Sequence, residues 1–94
     1  MKRMNYQTAS MLALKKFEWV RKLNMPAIIE KDAEFRKLTV LESSGYSDSL
    51  DYVLIEIEFC AKSGDHYRTV LIKVRNSEMG MDAELDSYTI EEVK

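Results

Sequence analysis

The stretch DYVLIEIEFCAKSGDHYRTVLIKVR, residues 51–75, decides how this chain folds. Over residues 51–62 successive side chains separate onto two faces: Val53, Ile55, Ile57, Phe59 and Ala61 on one, and Tyr52, Leu54, Glu56, Glu58, Cys60 and Lys62 on the other. A two-residue period of this kind is the signature of a β-strand with one buried face. Residues 66–75 repeat it, with Val70, Ile72 and Val74 inward and Tyr67, Thr69, Leu71, Lys73 and Arg75 outward. Between the two runs, Gly64 and Asp65 suit a type II′ turn, in which glycine takes the first central position. That turn predicts an antiparallel hairpin pairing Phe59 with Val70, Ile57 with Ile72, Ile55 with Val74 and Glu56 with Lys73. Slipping by one residue would mix the faces, and slipping by two would set Phe59 opposite Arg68.

Upstream of the hairpin, residues 5–23 read as a helix. At 100° per residue they gather Trp19, Leu12, Leu23, Ala9, Val20, Ala13, Tyr6 and Phe17 into one arc of roughly 160°, wide enough to cover a sheet. Asn5 is a natural N-cap, and Asn24 followed by Pro26 ends the pattern, because the residue before proline is steered away from helical geometry. Lys16 falls inside the apolar arc, where its methylenes can lie along the core and its ammonium at the rim. Met11 and Leu14 fall on the charged side.

The flanking strands are less sharply written. Residues 36–43 offer both Leu38/Val40 and Thr39/Leu41 as inward sets, while residues 81–90 begin with Met81, Ala83 and Leu85 inward and then change phase to Tyr88 and Ile90. Such a phase change predicts a bulge or break near Asp86. Residues 43–49 read as a loop from their Ser, Gly and Asp content, and residues 26–32 suit either a short strand or a helical turn. The expected fold class is therefore α+β: a single domain over residues 1–94, with an N-terminal helix packed on a four-stranded antiparallel sheet.

Composition narrows the function classes. The 94 residues include one Cys, one His, three Gly and one Pro, so neither an internal disulfide nor a Cys/His zinc site can be assembled. Asn5, Gln7, Thr8 and Ser10 interrupt any secretory signal, and Glu56 and Glu58 interrupt the most apolar run. The expectation is a cytoplasmic protein without membrane contact. Residues 1–47 carry nine Lys and Arg against five Asp and Glu, whereas residues 48–94 carry five against eleven. This division can mark a partner face or simply supply neutralising pairs.

Catalytic chemistry finds little support in the residues. In the expected register Cys60 points outward and His66 inward, which separates a thiol from the base it would need. Asp82, Glu84 and Asp86 alternate along a strand but lack the glycine and spacing of a calcium loop, and no phosphate-cradling glycine loop is present. No cofactor and no metal are expected, and no residue is assigned a catalytic role.

A helix followed by an antiparallel meander is similar in architecture to the cystatin-like and nuclear-transport-factor-like folds. The Gln-x-Val-x-Gly hairpin of protease-inhibiting cystatins has no counterpart, because the corresponding turn reads Ala61, Lys62, Ser63, Gly64, Asp65. The resemblance therefore implies a fold and no activity. The functional expectation is a small non-catalytic module that binds a protein partner, as adaptors, immunity proteins and phage-type inhibitors do. A second copy of the chain is one form that partner can take. Its surface would be the outer sheet face, through Tyr52, Leu54, Tyr67, Leu71 and Lys73, which mixes large apolar groups with charge. The alternative is nucleic-acid contact by the basic half, through Lys15, Arg21 and Lys22 on the helix with Lys2 and Arg3 before it, against which the overall acidity argues. A third option is a small-molecule pocket between helix and sheet, rimmed by Lys16 and Tyr6.

Overall fold

A computed structural model describes residues 3–23, 33–60 and 66–92, with side chains at 3–23, 33–60 and 68–87. Along the chain run α1 (Tyr6–Lys22), β1 (Glu34–Tyr46), β2 (Ser49–Cys60), β3 (His66–Ser77) and β4 (Gly80–Glu92). The strands form one antiparallel sheet in the order β1-β2-β3-β4, with α1 laid across one face against β2, β3 and β4. The expected α+β architecture, a helix on a four-stranded antiparallel sheet, is what the chain adopts.

The helix begins where the sequence places it. Asn5 accepts a 2.7 Å hydrogen bond from the Thr8 amide, satisfying one of the donors that a first turn leaves unpaired. Arg21 and Lys22 occupy the last turn, where cations complement the helix dipole. The buried face, however, is Ala9, Ala13, Phe17 and Val20, with Leu12 and Leu14 packed partly against the core. Trp19, placed in the apolar arc by periodicity, is 52% exposed, as Tyr6 and Leu23 are also exposed. The helix is thus turned by about 40° from the orientation that centres its hydrophobic arc. Two alanines allow close approach to the sheet, and Phe17 fills the resulting seam against Phe59, ring centroids 5.3 Å apart. Trp19 instead carries the Lys16 ammonium over its ring at 4.5 Å.

Beneath the helix, Val53, Ile55, Ile57, Phe59, Val70, Ile72 and Val74 are fully buried, so the two faces of the central hairpin are those the alternation assigned. Its register is not. The pairs are Val53 with Val74, Ile55 with Ile72, Ile57 with Val70 and Phe59 with Arg68, a slip of two residues that places Glu56 opposite Leu71 and Leu54 opposite Lys73. A slip of two keeps every side chain on its face, so hydrophobic pattern alone cannot oppose it. The Gly64–Asp65 turn on which the other register rested lies outside the described residues, as does the segment 26–32.

The irregularities lie in the pairings of the outer strands, β1 with β2 and β3 with β4. Arg36 and Leu41 are extra residues in β1, Asp51 is extra in β2, and Asp86 is extra in β4, the last matching the phase change at that position. Between the bulges of β1, Leu38 and Val40 face inward opposite Ile57 and Ile55. Residues 43–46, read from composition as loop, continue β1, and the connection to β2 is only Ser47 and Asp48. Gly45 makes this tight return feasible: its φ is 99°, and a Cβ there would stand 2.8 Å from the Ser49 carbonyl oxygen. The Asp51 bulge then turns Leu50 into the core, where its amide donates to the Met4 carbonyl at 2.7 Å and Met4 is itself buried. Among the described residues these side chains pack into the layer between helix and sheet.

Candidate functional site

The outer face of the sheet is built in rows, one residue from each strand. Glu42, Leu54, Lys73 and Glu84 form one; Ser44, Tyr52, Arg75 and Asp82 the next toward the hairpin ends; Thr39, Glu56, Leu71 and Ser87 the next on the other side. Leu54 and Leu71 are therefore diagonal neighbours on adjacent strands, closer than the expected register would have set them. Tyr52 precedes Leu54 on the same face of β2, and the Lys73 ammonium lies 5.0 Å from the centre of its ring. Four of the five anticipated partner-binding residues, Tyr52, Leu54, Leu71 and Lys73, thus form one half-buried group. The fifth, Tyr67, takes the β3 position opposite Cys60, separated from Leu71 by Thr69, and its side chain lies outside the described set.

Charges surround this group in both signs. Glu42 hydrogen-bonds the Tyr52 phenol and holds it protonated to higher pH than an ordinary tyrosine, with burial adding in the same direction. Arg75 approaches Glu84 at 3.7 Å, a solvent-exposed pair that adds little stability. An open depression of about 430 Å³ adjoins the group, lined by Asp51, Tyr52, Lys73, Arg75, Asn76 and Ser77. Thr69, though on the outer face, is only 7% exposed, so part of this face already excludes water. Among the described residues no three His, Cys, Asp or Glu side chains converge on a metal-sized site. Cys60 is half-buried on the outer face, its sulfur 3.4 Å from the Arg36 guanidinium.

On the helix, the anticipated basic set divides. Lys15 and Lys22 are exposed, but Arg21 is half-buried: one nitrogen donates to Glu18 at 2.6 Å, another donates to the Ala33 carbonyl, and the guanidinium lies over Phe17. Arg21 ties the helix to the entry of β1, and with Lys22 it lines an open depression beside Glu18 and Trp19.

Sequence patterning missed other exposed apolar side chains. Phe35 and Val40 lie on the helix side of β1, at 46% and 38% exposure; Leu41 occupies a bulge, and Tyr46 and Met79 stand at the two hairpin ends. For Val40 the signal lies in the ambiguity of residues 36–43, since a strand whose inward set cannot be decided is one that no layer fully covers. Compared with known proteins, the chain matches no family model, no curated protein and no solved structure. Among the described residues, no helix is long and apolar enough to cross a membrane.

Proposed function

We propose that this protein is a small non-catalytic binding module that engages a protein partner through the outer face of its sheet. The observation that carries this reading is the group of Tyr52, Leu54 and Leu71, set among Lys73, Arg75, Glu42 and Glu84 on the face opposite the helix. Large apolar groups at the middle with mixed charge around them reproduce the anatomy of a protein interface, where an aromatic and aliphatic centre is desolvated and a polar rim sets orientation.

Leu71→Glu tests the reading. The wild-type and variant chains, each immobilised, are exposed to an extract of the native host, and the bound proteins are compared by mass spectrometry alongside thermal melts of both chains. The expected result is loss of a specifically bound protein, with binding weakened roughly thirtyfold or more, while the melting temperature stays nearly constant. An unfolded variant would assign the face to the core, and unchanged binding would move the interface elsewhere; either result overturns the proposal.

A further inference from the structure

We infer that β1 pairs with β1 of a second copy of this chain across a two-fold axis at Thr39, joining two sheets into one of eight strands. β1 is an edge strand, and on its helix side α1 leaves Phe35 and Val40 exposed. Natural edge strands are commonly blunted by bulges and charges, and β1 carries both. Their placement is what identifies the occupant.

The two extra residues, Arg36 and Leu41, lie such that a two-fold axis at Thr39 sets Arg36 opposite Glu42 and Lys37 opposite Leu41 of the second copy. The bulge formed at 36–37 in one strand then meets the bulge at 41–42 in the other, so neither strand loses register. A regular strand cannot match these irregularities; a copy of β1 can, which turns an edge-protecting device into a selective one. Face matching agrees. Leu38 would oppose Val40 and Phe35 would oppose Ser43, all four on the helix side, while Thr39 meets its own copy on the outer side. Centring the axis on Leu38 or Val40 instead brings an inward residue against an outward one within two positions.

Charge is complementary at the same register. Arg36 of each copy faces Glu42 of the other, twice over by symmetry, with Lys37 the next residue along on the same side, and all three side chains are exposed. Arg36 reaches Cys60 and Glu42 reaches Tyr52 within one copy, so both groups are already held on the outer side of the strand where the pairing needs them. The apolar stripes of the two β1 strands would meet on the helix side, covering side chains that a single copy leaves in water.

Sedimentation of the full chain up to about 1 mM, where even a weak pair is populated, reads the result directly. A dimer is expected. Glu42→Lys, and separately the pair Arg36→Glu with Lys37→Glu, each create like-charge contacts across the axis and should weaken self-association roughly hundredfold or more. An equimolar mixture of the two variants restores opposite charges at every contact and should form a heterodimer. Circular dichroism melts of each variant establish that it is folded; should either fail, Val40→Lys against the wild-type chain replaces it. A monomer throughout, a dimer indifferent to all the charge reversals, or a dimer broken only by Leu71→Glu would each overturn the β1 pairing, the last by assigning self-association to the outer face.

Discussion

β1 and β2 lie side by side, are of nearly equal length and are both rich in apolar residues, yet they live in different environments. Ile55 is fully buried while Val40, directly opposite it in the sheet, is exposed; Phe59 is fully buried while its partner Phe35 is half in water. The difference lies above the sheet. α1 covers β2, β3 and β4, so burial along a row is set by the reach of the helix and not by the hydrophobicity of the residue. An edge strand beyond that reach is free to spend its apolar residues on something other than the core.

Substitutions along these rows test the comparison. The largest effect belongs under the helix: Ile57→Ala and Ile72→Ala should each cost about 2 to 5 kcal/mol in chemical denaturation, because both are fully buried and neighbouring side chains cannot close the cavity completely. Losses below about 1 kcal/mol in both would reverse the assignment of faces. Next comes Gly45→Ala, which forces a non-glycine residue to φ 99° against the Ser49 carbonyl, with an expected cost of about 1 to 3 kcal/mol. Val40→Ala, measured at concentrations dilute enough to hold the chain as a monomer, should cost under about 1 kcal/mol despite its position beside Ile55. An equal loss at Val40 and Ile57 would show that β1 belongs to the core after all.

The smallest effect is electrostatic. The Glu42 carboxylate favours the protonated Tyr52 phenol, so the hydrogen bond persists below the ordinary tyrosine range and is lost as pH rises through the elevated value. Glu42→Gln should move this titration downward, toward the behaviour of a free tyrosine, in an ultraviolet-absorbance titration. An unchanged titration would place the cause elsewhere.

Much of this arrangement is readable from the residues. Strict alternation defined the faces of β2 and β3, Asn5 marked the start of the helix, and the phase change at Asp86 announced a bulge, because each is a local signal with a local cause. What failed was non-local. The Gly64–Asp65 turn points to one hairpin register, whereas a two-residue slip costs nothing in face matching and sets Val53 against Val74, at the expense of Phe59 against Arg68. The hydrophobic arc of α1 includes Trp19, but close packing on a sheet favours the side bearing Ala9 and Ala13, leaving Trp19 outside. Of the candidate residues, Tyr52, Leu54, Leu71 and Lys73 share one face of the sheet, as the alternation implies, because faces survive a register shift of two; the tie from Arg21 to Ala33 leaves no signal in the sequence, because it joins separate elements.

The strand order β1-β2-β3-β4 bears on how quickly the chain reaches this arrangement. Each strand pairs with its neighbour in sequence, so every sheet contact closes a short loop at small entropic cost, and the meander can zip up hairpin by hairpin. The helix is the exception: it precedes the sheet, yet packs across to β4 at the far end of the chain. Among the described residues its docking carries the longest loop closure. The topology therefore sets the local closures within the sheet apart from the distant closure that brings Phe17 and the two alanines onto it.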